Sequence, residues 1–505
     1  MSKIVFIEPK APGLHIFSMF PMPRLGCVIL ATIARQENWD TAVYVEELEE
    51  IDFENVLDAD IVGISTITST APRAYEIAQQ LRAKGKTVLM GGPHVSFMAD
   101  EAIEHCDFVV RGEGEITLRQ FLKAYSNGGD YSQVDSLTYK KDGNVVNNPT
   151  ISPPVNLSQI PTPDFSLIKS KAGFFKGLTS QKVIPVQTTR GCPYHCIFCS
   201  VTEIFGRKVR YRDVEDVIVE LRQYTGKDHV IFFYDDNFVV DKARTRRLVE
   251  RMIEEKLNLE WTAQVRADVA KDPELLRLMR KSGCFMVYVG FETVNQKALD
   301  NAEKSQTVEG IASAITEFKK AKIKIHGMFV LGFEEDTYKD AMTTLKFAIK
   351  KGISTVQFLI LTPIPGSVTF KQMKQEGRIL FSDWSLYDGH HVVFKPKLLS
   401  VAKLQKAQIK AHAKFYSLLS IVHSICRWKF YKAMIALYAK RIHKTWIKGN
   451  RHYLKAIKLL EKATFPFEFK FDIRISVRDV REKIEGAWNS LKAKRLPPID
   501  PQTNP

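Results

Sequence analysis

The stretch TTRGCPYHCIFCSV, residues 188–201, holds Cys192, Cys196 and Cys199, with no fourth cysteine near them. A chain of 505 residues with only seven cysteines places three of them within eight positions. The run VIPVQTTR (183–190) that leads into them is apolar and β-branched, so it reads as a buried strand with the cysteines in the loop beyond its carboxyl end. Five further strand-like runs follow: HVIFFYDDNF (229–238), LEWTAQVRAD (259–268), CFMVYVGFET (284–293), IKIHGMFVLGF (323–333) and TVQFLILTPIPG (355–366). Helical stretches separate them, and six such units predict a TIM-like partial (βα)6 barrel over residues 183–396. Barrels of this kind carry their chemistry at the carboxyl ends of the strands, where the cysteine loop lies.

Three chemistries compete for the cysteines. A structural zinc ion wants four ligands, and His195 could serve as the fourth only with awkward local geometry. A redox pair of Cys196 and Cys199 leaves Cys192 unexplained and lacks a thioredoxin-like setting. Three thiolates on a four-iron cluster leave one iron open, and an open position on a reducing cluster is where a substrate can bind and accept an electron.

Upstream, residues 1–126 alternate apolar runs with helical patterns: KIVFIEP, TAVYVEE, ADIVGISTI, TVLMGG and FVVRGEGE are separated by helices such as RLGCVILATIARQ and 71–84. This predicts a doubly wound, Rossmann-like parallel sheet without a GxGxxG turn after its first strand. Its strand ends carry Ser65, Thr66, Gly91, Gly92, Pro93, His94, Gly112 and Glu113. A hairpin signal in SLTYKKDGNVVNN, with Asp142 and Gly143 in the turn, and a run of prolines make 127–182 a hairpin and linker. Residues 397–505 form the remaining region, helical and basic.

Gly91 follows Ser65 by twenty-six positions, and this spacing of a serine and a glycine pair resembles that of cobalamin-binding domains. The DxHxxG loop of that family is absent: the segment after the first strand reads PKAPGLHIFSMFPMPRLG, and neither His15 nor His94 has the context of a cobalt ligand. The resemblance therefore implies cobalamin without a protein histidine on cobalt. CxxxCxxC after the first barrel strand is the signature of the radical S-adenosylmethionine (SAM) superfamily, and residues 3–396 closely resemble its cobalamin-dependent branch. That resemblance implies a 4Fe-4S cluster on Cys192, Cys196 and Cys199, with S-adenosyl-L-methionine chelating the open iron and cleaved to a 5'-deoxyadenosyl radical. It places Phe198 near the adenine, Asp235 and Asp236 at the methionine amino group, Arg266 at the carboxylate and Glu292 at the ribose. Gly327 and Gly332 would allow close approach of the adenine. An electron donor such as a flavodoxin or ferredoxin is implied as partner, and methylation of an unactivated carbon is the expected reaction. Radical cyclisation or carbon-carbon coupling, tRNA modification, and a zinc-stapled interaction protein are the alternatives. Only Cys27 and Cys106 precede the linker, which argues against the tRNA enzymes that need a second cluster there.

Net charge is +16, and residues 401–463 hold fifteen Lys or Arg against the single acid Glu461. Lys and Arg are interleaved with aromatic and aliphatic residues at helical spacing, which predicts a basic amphipathic surface suited to anionic lipid, nucleic acid being the less favoured partner. The expectation is that these helices bring the active site to a membrane, with a small-molecule or lipid substrate. The opening MSKIVFIEPK enters a strand-like run, not a signal peptide, so the expected location is cytoplasmic, peripheral at the inner membrane surface. Tyr387, His390 and His391 in LYDGHHVVF could face a pocket or be structural.

Overall fold

The structure, a computed structural model, describes residues 2–11, 13, 22–150, 152–169, 182–426, 428 and 430–464. His15 and most of the loop around it lie outside these residues, as do 465–505.

The first sheet contains β1 (Lys3–Glu8), β2 (Asp40–Val45), β3 (Ile61–Ser65), β4 (Thr87–Gly91), β5 (Phe108–Val110), β6 (Leu137–Lys141) and β7 (Asn144–Asn147), in the order β2-β1-β3-β4-β5-β6-β7. The first five strands are parallel and their apolar runs are buried on both faces, as covering helices require. The order reverses between β1 and β3, which opens a crevice at their carboxyl ends, beside Ser65. The hairpin expected in the linker instead extends this sheet, since β6 and β7 pair antiparallel beyond β5. Asp142 and Gly143 both take positive φ in its turn. The proline-rich chain then crosses to the other edge, where Lys169 donates to the Val43 carbonyl at 2.9 Å.

The second sheet is built from β8 (Lys182–Val186), β11 (His229–Phe233), β12 (Glu260–Val265), β13 (Cys284–Glu292), β14 (Lys324–Leu331) and β15 (Thr355–Ile360), all parallel, in the order β15-β14-β13-β12-β11-β8. Two short strands, β9 (Thr189–Arg190) and β10 (Arg210–Tyr211), pair antiparallel beside it. This is the expected (βα)6 half-barrel.

A half-barrel leaves an open edge at β15, and backbone groups there need partners. The helix Val401–Phe415 and the residue after it supply them from side chains. The Tyr416 hydroxyl donates to the Val356 carbonyl at 2.7 Å and accepts from its amide at 2.9 Å. Gln408 Nε2 donates to the Phe358 carbonyl at 3.2 Å, and His412 Nε2 lies 3.0 Å from the same oxygen. Leu404, earlier in the helix, meets Gly332 beyond the carboxyl end of β14, so the helix runs antiparallel to β15. The helices Leu418–Cys426 and Phe430–Gly449 therefore begin at the amino ends of the barrel strands, where Lys432 Nζ donates to the Ile353 carbonyl at 3.3 Å. The start of these two helices thus lies at the opposite end of the strands from the cysteine loop.

Candidate functional site

The cysteine loop is fixed at both ends. Gly191, at φ +94°, begins it, and a Cβ there would lie 3.0 Å from the Lys208 carbonyl oxygen and 3.1 Å from that of Gly206, so the turn requires glycine. Further along, the Cys199 amide donates to the Cys196 carbonyl at 3.0 Å, and the Ile197 carbonyl accepts from the Thr369 amide and hydroxyl at 3.0 and 3.1 Å. His195, once a candidate zinc ligand, points its Nδ1 to Glu303 at 2.8 Å. The three cysteines are half-buried and carry no disulfide, while Cys27, Cys106 and Cys284 are buried in cores. Burial pushes the Cys199 thiol up to about 11 and raises Cys192 as well, so a metal must draw these thiolates out. Among the described residues no three His, Cys, Asp or Glu side chains converge on a single ion. Three thiolates that each bind a different iron of a cluster need no such convergence, and the loop suits that use.

The strand ends beyond the loop divide into supports and free groups. Asp235 is wholly buried and accepts from the Thr188 amide at 2.6 Å, the Thr188 hydroxyl at 2.6 Å and the Thr189 amide at 2.9 Å. Both its oxygens are committed, so Asp235 positions the backbone before the cysteines, and its expected place at the methionine amino group is corrected on that ground. Asp236 accepts only a long bond from the Gly191 amide, at 3.3 Å, and burial raises its carboxyl to about 6. Arg266 is stacked on the Tyr194 ring, 3.6 Å from its centroid, and donates through Nη2 to the Lys304 carbonyl at 2.5 Å. Its buried Nε makes no hydrogen bond and has only the Asp268 carboxylate at 3.9 Å as an ion-pair partner, which leaves it capacity to donate to an anionic ligand. Phe198 packs edge-on against Phe333.

Glu292 ends β13 with φ +60°, uncommon for a side chain of its size, and accepts from Lys304 Nζ at 2.6 Å. Burial opposes the Lys304 ammonium, but the charges of Glu292 and Cys196 outweigh it and raise its pKa. Lys304 escaped the sequence reading because it lies in a loop between two helices, where the strand-end rule does not look. Gly327 and Gly332 serve packing: a Cβ on the first would meet Ile353 at 3.3 Å, and one on the second Leu404 at 2.7 Å.

In the first domain, Thr66 is buried and clasps β4, its amide and hydroxyl donating to the Gly91 carbonyl at 2.8 and 3.0 Å. Gly92, at φ +104°, presses its backbone on Thr66, where any Cβ would collide. Pro93 opens the short helix after it, and the Ser96 hydroxyl there accepts from the Gly112 amide at 2.9 Å. Thr66 and Gly92 are thus explained by one another. Ser65 lies at the crevice. A Cβ added at Gly91 would come no nearer than 3.9 Å to any neighbour, and one at Gly112 would meet nothing within 4 Å, so both leave room for a ligand. His94 is buried, with Nε2 3.2 Å from the Tyr75 hydroxyl and its ring edge-on to Trp384, while its Nδ1 makes no hydrogen bond.

Glu113 does something else again. It pairs with Arg210 at 2.5 Å and with Arg190 at 3.2 Å, and Arg190 also reaches Glu115 at 2.9 Å. Burial works against the Glu113 charge, but Arg210 and Arg190 overcome it and hold the carboxyl below its ordinary range. Glu113 follows β5 and Arg190 leads into the cysteine loop, so this network joins the carboxyl-end rims of the two sheets. Gly366, beyond β15, packs on Phe97, beyond β4, and Trp384 Nε1 donates to Glu101 at 2.8 Å. The two rims face each other. Tyr387, His390 and His391 are structural: Tyr387 donates to the Phe381 carbonyl at 2.7 Å, Gln405 to the His390 carbonyl at 2.9 Å, and His391 bridges Asp388 and Asn450 at 3.0 Å each.

The chain matches the radical SAM superfamily over residues 186–348 and the B12 binding domain over residues 18–122. It is 32% identical over 409 residues to an uncharacterized methyltransferase of Pyrococcus horikoshii, covering 78% of this chain and 88% of that protein. The chain belongs to the cobalamin-dependent radical SAM family. A second relative, bacteriochlorophyllide d C-12(1)-methyltransferase of Chlorobaculum tepidum, is 31% identical over 420 residues, 82% of this chain and 87% of its own length. The fold is also that of the radical SAM methyltransferase TsrM of Kitasatospora setae, with TM-score 0.62 at 16% identity over 74% of this chain and 78% of that one. This radical SAM enzyme uses a 4Fe-4S cluster, S-adenosylmethionine and cobalamin. The groups at its facing rims fit all three: half-buried thiols for iron, a guanidinium nitrogen with no hydrogen bond for a carboxylate, and open glycines at the crevice of the first sheet.

Proposed function

We propose that this radical SAM enzyme methylates an unactivated carbon of a lipid-like substrate. The observation that carries the reading is the opposition of the two rims, which turns the two cofactor-binding ends toward each other. Bound there, the cluster and S-adenosylmethionine supply a 5'-deoxyadenosyl radical and cobalamin supplies the methyl group. Cys192, Cys196 and Cys199 would hold the cluster, and Arg266 Nε, already oriented by Tyr194, would receive the methionine carboxylate. Asp236 has spare acceptor capacity for the amino group. Strand alternation turns Phe232, Tyr288, Met328 and Leu359 to the face opposite the outer helices, with Gln264, His326 and Gln357 among them. Burial holds His326 down to about 4, so it is a neutral hydrogen-bonding group at pH 7. A face with two aromatic rings, a methionine and a leucine suits a bulky, largely apolar substrate, in keeping with a relative named as a bacteriochlorophyllide d methyltransferase.

The test is anaerobic reconstitution with iron, sulfide and cobalamin, then incubation with lipid extracts and S-adenosylmethionine bearing a trideuterated methyl group. The expected product carries the label, with 5'-deoxyadenosine formed alongside. A product that has lost hydrogen and carries no label would make the enzyme a cyclase or coupling enzyme. Formation of 5'-deoxyadenosine by a variant with all three loop cysteines replaced by Ala would overturn the cluster assignment.

A further inference from the structure

Helices on a water-soluble surface turn their large apolar residues inward. The pair Leu418–Cys426 and Phe430–Gly449 does the reverse over much of its length. Phe430, Met434 and Leu437 are about half exposed, while Ala433 and Ala436, the small residues of the same helix, are buried. On the partner helix Ile421 and Ser424 are buried, whereas Leu418, Val422 and Ile425 face out and Leu419 is 83% exposed. Between the helices stands Trp428, also 83% exposed, edge-on to Phe430. Exposed apolar residues recur at positions 418, 422 and 425 and again at 430, 434 and 437, so each helix presents a continuous stripe. Large contiguous apolar faces on a protein surface mark interaction sites.

Charge identifies the occupant. Residues 418–449 contain seven Lys or Arg and no Asp or Glu. The acid nearest in sequence on the carboxyl side, Glu461, accepts a hydrogen bond from Ser400. The segment's own sequence thus supplies no acid to balance these cations. An apolar stripe with a tryptophan at its tip, flanked by cations alone, is the composition of a helix pair that lies in a bilayer interface. No helix among the described residues is long and apolar enough to cross a membrane.

We propose that this helix pair docks the protein on an anionic phospholipid surface, inserting Leu418, Leu419, Val422, Ile425, Trp428 and Phe430 among the acyl chains while Lys440, Arg441 and Lys444 engage the headgroups. The contact is at the amino ends of the barrel strands, so it tethers the enzyme and leaves the facing rims uncovered. It does not depend on the reaction catalysed.

The experiment is flotation of the full-length protein with phosphatidylcholine vesicles, with and without phosphatidylglycerol. Three proteins are compared: the unaltered chain, Leu419→Ser/Trp428→Ser, and Lys440→Glu/Arg441→Glu/Lys444→Glu. All the altered side chains lie outside the site, so 5'-deoxyadenosine formation in solution should be unchanged and serves as the folding control. The unaltered protein should float only with the anionic vesicles, and each variant should bind about tenfold more weakly or worse. Failure of the unaltered protein to float, or equal flotation of all three, overturns the proposal. So does flotation that appears only after residues 465–505 are removed, which would show the stripe covered by the chain's own end. Retention on tRNA without flotation, or a dimer in solution that Leu419→Ser dissociates, would assign the face to RNA or to a second copy.

Discussion

Replacing Lys304 by Met removes one half of a buried ion pair and leaves the Glu292 carboxylate without its ammonium. The two side chains are 10% and 8% exposed, so the stranded charge gains little from water. Removing one partner of such a pair costs about 3 to 5 kcal/mol. Amide exchange of β13 and β14 peptides, corrected for intrinsic rates, reads this as protection lowered by about a few hundredfold or more. The double variant Lys304→Met/Glu292→Gln removes both charges and should recover most of the protection. Unchanged protection in the single variant, or a double variant no better than the single one, would refute the reasoning. S-adenosylmethionine affinity of the double variant then decides the ribose assignment. Unchanged affinity makes Glu292 a partner of Lys304 alone, and lost affinity with restored protection makes it a ligand as well.

Asp336 accepts from the Gly332 and Phe333 amides at 3.0 and 3.2 Å, yet burial raises its carboxyl to about 7. The folded chain then holds a proton that the unfolded chain releases above its ordinary value. Stability is accordingly highest below that value and falls as pH rises toward 7, by roughly 4 kcal/mol from this group; urea midpoints of Asp336→Asn should lose that slope, and an unchanged slope would place its origin elsewhere. Gly92→Ala drives a Cβ into the Thr66 backbone at φ +104°, so it should cost roughly 3 kcal/mol and abolish cobalamin uptake while sparing the barrel's iron content. Gly112→Ala, also at positive φ but with open space around it, should cost about 1 kcal/mol.

The local patterns were sufficient for the fold and for the cluster loop. Parallel strands buried on both faces must be short apolar runs, and helices between them must be amphipathic, so both sheets could be read from period and punctuation. Three cysteines within eight positions likewise state their purpose locally, because a cluster loop is closed by its own backbone. Partnership across long separations has no such trace. Asp235 and Asp236 are adjacent and alike in sequence, but only folding turns the first onto Thr188 and leaves the second nearly free. Glu113 reads as a ligand at a strand end until Arg190 and Arg210, far along the chain, claim it. Lys304 has no pattern of its own and matters because Glu292 is brought within 2.6 Å. The basic helices showed their charge in sequence, whereas the direction of their apolar stripe, and its place at the amino ends of the strands, followed from Tyr416 and His412 closing the open edge of β15. Periodicity records which face of an element is buried; which distant side chain meets it there is decided by packing, whose contacts join residues with no fixed spacing along the chain.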